Sequence, residues 1–223
     1  MSDNSNNIID GLDEIEIENT SIDDIATENV NLMFIGIDCS GSMSDYIDDM
    51  EQSLSNFKSA ISNSKEADEI LLTRANFNRD VIIGGYKKID DFDTSYSAYG
   101  YTSLYDTIVI GSNKLVDYMT YLKEQGMRVK AVFVIFSDGA DNTSRYDINE
   151  AKAEISKLNK MEITTAFISF GNSSIEIANS TGFKNIMTVK SDASELRKAF
   201  DCLSKSAISA SKSVIAPVDN FFV

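Results

Sequence analysis

Residues 31–43 of this 223-residue chain read NLMFIGIDCSGSM, an apolar run that ends abruptly in acidic, hydroxyl and glycine residues. A continuous apolar stretch of this length is typical of a strand that is buried on both faces of a parallel sheet. Asp38, Ser40 and Ser42 alternate around Gly41 where that strand is predicted to end. This pattern fits a helix cap, a nucleophile or part of a metal site, and the rest of the chain has to distinguish these possibilities.

Apolar runs and helical spacing predict the other elements. Strands are predicted at 31–38, 69–78, 80–89, 128–139, 162–171 and 185–190, and helices at 44–63, 104–126, 147–160, 173–182 and 192–212. We predict that Ser44 caps the first helix and that Gly126 ends the second. The order of elements predicts a doubly wound α/β domain: a mostly parallel six-stranded sheet with one antiparallel hairpin edge strand and helices on both faces.

The composition narrows the functional classes. The chain has no histidine, which removes Ser-His-Asp and Cys-His catalysis and the commonest transition-metal ligand. Its two cysteines, Cys39 and Cys202, are far apart and form no C-x-x-C pair, so we expect free thiols rather than a zinc site. A phosphatase nucleophile at Cys39 would need an arginine six residues later, where Asp45 stands. Any metal would therefore be held by oxygen, which favours Mg²⁺, Ca²⁺ or Mn²⁺.

The formal charge of −15 is concentrated at the start of the chain, because 14 acidic residues precede the first basic residue, Lys58. We interpret residues 1–29 as an acidic, flexible arm, either solvated or docking on a basic partner, and residues 213–223 as an apolar tail. The acidic start disfavours binding to nucleic acid or to anionic membranes. The sequence has neither a secretion signal nor an apolar stretch of about 18 residues, so we expect a cytoplasmic protein.

Oxygen-bearing residues are predicted to meet at one edge of the sheet. Asp38 ends the first buried strand, Asp138 ends the second, and Thr102 opens the long helix after a glycine-containing loop. Ligands of such sheets bind at the carboxyl ends of the strands, at a switch point in strand order. Together with Ser40 and Ser42, these residues offer two carboxylates and three hydroxyls, which leave about one of the six positions around Mg²⁺ vacant.

The combination Asp38-x-Ser40-x-Ser42, Thr102 and Asp138-Gly139 resembles the metal-ion-dependent adhesion site of von Willebrand factor type A domains, over roughly residues 30–212. DCSGSM and SDGADN are similar to intracellular bacterial or phage members, including tellurium-resistance-type proteins. The resemblance implies a Rossmann-like fold in which the two serines and the threonine bind the metal directly. It also implies that the two aspartates bind directly or through water, and that a partner protein supplies an Asp or Glu. Tyr101 departs from the family, which often has glycine there.

The expected function is a cation-dependent protein interaction module and not an enzyme, with Mg²⁺ as the expected ion. The expected partner contacts are Gly41, Tyr101, Gly139 and Asp141, whereas Cys39 is expected to point into the core. Asp141 and Asn142 are expected to shape their loop rather than to bind metal. Two alternatives stay open. One is a structural component that self-associates through its terminal segments, and the other is a metal-assisted phosphohydrolase, which lacks an obvious general base.

Overall fold

The structure is a computed structural model that describes residues 19–64, 69–139, 141–170, 172–189, 193–212 and 221–222. The strands are β1 (Asn29–Asp38), β2 (Glu69–Phe77), β3 (Val81–Ile83), β4 (Lys87–Lys88), β5 (Arg128–Ser137), β6 (Thr164–Phe170) and β7 (Asn185–Val189). The α-helices are α1 (Ile47–Ser62), α2 (Leu104–Glu124), α3 (Ile148–Lys160), α4 (Asn172–Thr181) and α5 (Ala193–Lys212).

The strands form one sheet in the order β3-β2-β1-β5-β6-β7, with β4 also paired to β2. All pairs between β2 and β7 in this order are parallel, whereas β3 and β4 are antiparallel to β2. The predicted doubly wound α/β class is therefore confirmed. Because the chain leaves β1 toward β2 on one side and later returns as β5 on the other, the switch point lies at the carboxyl end of β1.

The predicted strand 80–89 is interrupted, which gives seven strands rather than six. Gly84 and Gly85 lie between β3 and β4 and leave the ladder. Gly84 is still tied to β2, because its amide donates to the carbonyl of Arg74 at 3.1 Å and its carbonyl accepts from the Thr73 hydroxyl at 2.7 Å. Glycines weaken a strand because they have no side chain to pack and lose much backbone freedom.

Alternate side chains of β1 enter two separate hydrophobic cores. Ile35 faces the core that contains Phe57 of α1 and Phe200 of α5. Phe34 faces the core under α2 and α3, where its ring stacks on Phe133 at 4.6 Å. A strand with both faces buried must be apolar at successive positions, which explains the NLMFIGI run. Each fully buried large side chain contributes about 1.5–3 kcal/mol of transfer free energy.

The connection from β1 to α1 differs from the prediction. Residues Gly41–Tyr46 form a 3₁₀ helix, and α1 begins only at Ile47. Ser44 lies inside the 3₁₀ helix and does not cap α1, so that prediction is wrong. The tighter helix starts immediately after the strand because the amide of Met43 donates to the carbonyl of Ser40 at 3.0 Å. Gly126 confirms the other prediction, with a φ of +87° directly after the C-cap of α2.

Both terminal segments have residues that pack on the domain. Asn19 and Thr20 are buried, and both bond to the backbone of Tyr86. The packed domain therefore includes residues from Asn19 onward, about ten residues before its predicted start at residue 30. Phe221 is buried in the core on the α1 and α5 side, and its amide donates to the Asn185 side chain at 2.9 Å. The rest of the predicted arm and tail, residues 1–18, 213–220 and 223, lies outside the described residues.

Membrane insertion by a helix finds no support in the described part of the chain, where every helix is too short or too polar to span a bilayer.

Candidate metal centre

Asp38 lies at the carboxyl end of β1, at the predicted switch point, and is fully buried. Its Oδ1 accepts the amide of Ser40 at 2.9 Å, and its Oδ2 accepts the hydroxyl of Ser137 at 2.7 Å. The hydroxyl of Tyr96 donates to its backbone carbonyl at 2.5 Å. Groups from three segments thus hold Asp38, and two of them, from Ser40 and Ser137, orient its carboxylate.

The hydroxyls of Ser40 and Ser42 lie 3.1 Å apart, Oγ to Oγ. Ser40 is buried and Ser42 is exposed. The pair therefore runs from the buried carboxylate of Asp38 toward solvent, and the first turn of the 3₁₀ helix holds it. Neutral hydroxyl oxygens in this position fit a hard divalent cation that must also remain accessible from outside.

Thr102, from the loop before α2, is buried and is held on both sides of its peptide unit. Its amide donates to the Asn142 side chain at 2.9 Å, and its carbonyl accepts the amides of Asn142 and Thr143 at 3.0 and 3.2 Å. The loop that carries Thr102 is therefore fixed to the loop that follows β5 and carries Asp138.

The loop before Thr102 is also tied to the loop that follows β1. The amide of Gly41 donates to the carbonyl of Gly100 at 3.1 Å, and the amide of Tyr99 donates to the carbonyl of Cys39 at 2.8 Å. All three predicted ligand-bearing loops are thus joined by hydrogen bonds at one edge of the sheet. Their arrangement does not depend on a bound ion alone.

Asp138 follows the last residue of β5 and is half-buried. The amide of Gly139 donates to the Ser137 hydroxyl at 3.0 Å, and that hydroxyl donates to Asp38. Burial raises the pKa of Asp38 to about 6; hydrogen bonds from Ser137 and Ser40 act in the opposite direction, and the charge of Asp138 raises it. A cation beside the carboxylate of Asp38 would favour its ionised form.

The donor set fits a hard divalent cation. Two carboxylates and three hydroxyls are oxygen ligands of the kind that Mg²⁺, Ca²⁺ and Mn²⁺ take. Within the described ranges, no three Asp, Glu, Cys or His side chains form a metal-binding group, so a cation here depends on the hydroxyls. Cys39 does not compete, because its thiol is buried in the core and burial raises its pKa to about 11.

The four predicted partner contacts divide into two pairs. Gly41 is exposed, and Tyr101 is 56% exposed. Gly139, in contrast, is buried against Ser174 and cannot present itself to a partner without rearrangement. Asp141 is half-buried, and its Oδ1 accepts the amide of Tyr105 and the hydroxyl of Ser144, at 3.2 and 2.6 Å. Its position supports the start of α2, in agreement with the expected loop-shaping role.

The sequence patterns do not predict three contacts that support the site. Ser137 and Tyr96 bond to Asp38, and Asn142 holds the amide of Thr102. Ser137 is the one with a visible signal, because it is a polar residue directly after the apolar run VFVIF and before Asp138. Tyr96 and Asn142 lie in polar loops and carry no comparable signal.

Known proteins resemble this chain in three-dimensional structure but not detectably in sequence. No protein-family model matches the sequence, and no curated protein matches it. The SpRpn10 VWA domain superposes with a TM-score of 0.53 at 11% identity, over 83% of this chain and 99% of that one. The pilus adhesin SpaC from Lactobacillus rhamnosus GG gives 0.66 at 12% identity, over 83% and 31%. Proximal thread matrix protein 1 from the mussel byssus, with a zinc-occupied MIDAS motif, gives 0.56 at 19% identity, over 81% and 46%.

The chain has the von Willebrand factor type A fold. It spans less than half the length of SpaC and of the mussel protein. Within this von Willebrand factor type A fold, Asp38, Ser40, Ser42, Thr102 and Asp138 lie on three loops at the carboxyl edge of the sheet.

The hydrogen bond from the Thr102 amide to the Asn142 side chain can be tested for its effect on cation binding. In Asn142→Ala, the buried amide of Thr102 loses its acceptor, which costs about 1–3 kcal/mol. For a site that holds a divalent cation, the affinity, measured by calorimetric titration with Mg²⁺ as the probe, is expected to fall about ten-fold or more while the circular dichroism spectrum is unchanged. Asn142→Asp keeps an acceptor oxygen and is expected to retain more of the affinity. Equal affinity in the wild type and in Asn142→Ala would contradict a positioning role.

Proposed function

We propose that this chain is a divalent-cation-dependent protein interaction module, in which bound Mg²⁺ is completed by an Asp or Glu of a partner protein. The observation that supports the proposal most directly is the Ser40–Ser42 hydroxyl pair, 3.1 Å apart beside the buried carboxylate of Asp38. Hydrogen bonds tie the loops of Thr102 and Asp138 to the same edge of the sheet. A capping role alone leaves this convergence unexplained, since neither serine caps a helix with its side chain.

The proposed ligands have different roles. Ser40, Ser42 and Thr102 offer neutral oxygens for direct contact with the ion. Both carboxylate oxygens of Asp38 already accept hydrogen bonds inside the protein, so we assign Asp38 to the ion mainly through water. Asp138 supplies the second negative charge. Few charged ligands leave the ion electrophilic enough to attract one more carboxylate, and that carboxylate would come from the partner.

The surface around the loops suits a protein partner. Tyr99 and Tyr101 are 65% and 56% exposed and flank Gly100, whose carbonyl is bonded to Gly41 of the serine loop. Exposed tyrosines are enriched at protein interfaces because they combine a large apolar area with a polar end. Among the proteins that share this fold, SpaC is a pilus adhesin and the mussel protein has a zinc-occupied motif. Both support binding as the function, and the zinc-occupied motif supports a divalent cation as the bound ion. The oxygen-only donor set of this chain favours Mg²⁺, Mn²⁺ or Ca²⁺.

We infer a binding role in preference to hydrolysis. The chain has no histidine, and the two carboxylates of the site are assigned to the ion, so a general base for activating water is not evident. We further infer that the chain acts in the cytoplasm, as the resemblance of DCSGSM and SDGADN to intracellular bacterial or phage members suggests.

Selection of displayed peptides tests the partner carboxylate. Random peptides selected on the immobilised protein in Mg²⁺ are expected to share an Asp or Glu. Exchange of that residue for Asn or Gln should weaken binding about 30-fold or more, as loss of a hot-spot contact does, and EDTA should abolish binding. Exchange of a second acidic residue elsewhere in the same peptide is the control. Selected peptides that bind equally well in EDTA would contradict the proposal.

A further inference from the structure

The first described residues are fixed beside the sheet edge formed by β3 and β4. The Thr20 amide donates to the Tyr86 carbonyl at 2.8 Å, and the Lys88 ammonium donates to the Asp24 carbonyl at 2.6 Å. The two contacts follow the same order along both segments, although residues 22–24 form a 3₁₀ helix. A chain continued backward from Asn19 in this direction would lead along residues 85 to 81, toward β3 and the edge of the sheet that carries the candidate metal centre.

One face of α2 leads from this anchor to the same edge. The hydroxyl of Tyr118 donates to the Thr20 carbonyl at 2.9 Å. Lys114 and Ile110 lie four and eight residues earlier in α2, on the same helical face as Tyr118. Eight residues of helix span about 12 Å. A segment that continues backward from Asn19 thus needs only a few residues to reach Ile110.

A cleft of about 790 Å³ lies at the end of this path, between β3 and the first turns of α2. Val81 and Ile110 line it on these two elements, and Arg79, Arg145 and Tyr146 come from the adjoining loops. The Arg79 guanidinium lies 5.8 Å from the ring centre of Tyr101, the residue before Thr102. The cleft therefore adjoins the threonine loop of the candidate metal centre.

Acidic residues also line the cleft, but the protein already engages two of them. Asp106 accepts the backbone amides of Arg145 and Tyr146, at 2.8 and 3.0 Å. Glu150 accepts the amide of Asp147 at 2.9 Å in a capping box. Asp80 is the third acid. The side chains of Arg79 and Arg145 are exposed, so they are the cations that an incoming segment would meet.

Exposed apolar side chains lie on both faces of the sheet at the β3 edge. Ile82 of β3 is 68% exposed, and Ile110 of α2, on the opposite face with Val81 and Ile83, is 42% exposed. Among the described strands, none pairs with β3 on the side opposite β2. A strand edge of this kind accepts an added strand, and an exposed apolar edge is usually covered in a soluble protein.

We propose that residues 12–18, LDEIEIE, dock in cis along β3 and into the Arg79–Arg145 cleft. Apolar and acidic residues alternate at 14–18, as an added strand requires. Residues 1–18 carry six acidic and no basic residues, so their carboxylates can pair with the two exposed arginines. Asp80, Asp106 and Glu150 keep their negative charge, so the pairing must be local to Arg79 and Arg145. Extended, 18 residues reach about 60 Å, so length does not limit docking. The proposal stands independently of metal binding, but a docked arm would cover one side of the threonine loop and compete with a partner there.

Hydrogen–deuterium exchange compares the full chain with a chain that lacks residues 1–18 and keeps the Asn19–Thr20 anchor. We expect amides in 79–85 to exchange about ten-fold faster in the shortened chain, because the added strand protects the edge. In the full chain, Arg79→Glu combined with Arg145→Glu, or Glu16→Lys combined with Glu18→Lys, should give the same increase. Arg128→Glu, at an exposed arginine at the start of β5, is the matched control.

Three results would overturn the proposal. One is identical exchange of 79–85 with and without residues 1–18. Another is protection that survives both sets of charge reversals. The third is protection that disappears on dilution of the full chain, which would assign the groove to the arm of a second copy. An added peptide of residues 1–18 that protects the shortened chain would support the proposal. That protection should be lost in 1 M NaCl, where charges are screened within about 3 Å.

Discussion

Exchange of Ser40 and Ser42 for alanine together is expected to remove the stabilisation of the protein by Mg²⁺. An ion present at 100 times its Kd stabilises the folded state by about 2.7 kcal/mol. For a chain of 223 residues, this corresponds to a rise in Tm of about 5–10 °C. The wild type should show this rise between EDTA and Mg²⁺ in thermal unfolding followed by circular dichroism, and the double variant should not.

Ser44→Ala is the matched control for this experiment, because Ser44 is an exposed hydroxyl in the same 3₁₀ helix. It should keep the full effect of Mg²⁺. In EDTA, the double variant should unfold within a few degrees of the wild type, since loss of one neutral hydroxyl hydrogen bond costs about 1 kcal/mol. A double variant that is still stabilised by Mg²⁺ would show that the ion binds elsewhere.

The expected loss is large because the folded protein already carries the cost of burying a carboxylate at this site. The carboxylate of Asp38 is fully buried, and burial raises its pKa to about 6. Its ionised form is therefore less favourable in the fold than in water, and we expect a cation near the hydroxyls to offset part of that cost. Such perturbed acids are typical of functional sites, although ion pairs within a fold also perturb pKa values.

The placement of the two candidate aspartates at one edge of the sheet is predictable because it follows from strand order. Asp38 and Asp138 each follow a long apolar run, and runs of this kind are central parallel strands. In the structure β1 and β5 are neighbours, with Ile37 opposite Phe136. The carboxyl ends of adjacent parallel strands necessarily lie together. Two distant aspartates can therefore be assigned to one edge from sequence patterns alone.

The supporting contacts cannot be predicted in the same way. Ser137 and Asp38 are 99 positions apart, and Asn142 and Thr102 are 40 positions apart. No local periodicity links such pairs, because each contact depends on how two loops are packed in space. For the same reason, the spacing of apolar residues from Tyr46 onward predicts a helix but cannot distinguish the 3₁₀ start from a helix capped by Ser44.

Gly139→Ala is expected to destabilise the fold by about 3–5 kcal/mol, at the large end for single substitutions. Gly139 has a φ of +90°, where a residue with a Cβ costs about 1–2 kcal/mol. An added Cβ would also lie 2.3 Å from the Cα of Ser174. Because this atom belongs to the backbone of α4, the overlap is relieved only by moving the helix or the loop after β5. The measurement is urea unfolding followed by circular dichroism.

Gly182→Ala separates the two causes of this cost, because Gly182 has a φ of +89° but nothing within 4 Å of an added Cβ. We expect it to cost only the backbone part, about 1–2 kcal/mol. The difference between the variants then measures the packing of Gly139 against α4. Because the Gly139 amide also holds Ser137, which orients Asp38, Gly139→Ala should in addition weaken Mg²⁺ binding, whereas Gly182→Ala should not. Equal destabilisation with unchanged Mg²⁺ affinity in both variants would show that the Asp-Gly turn is not held in this way.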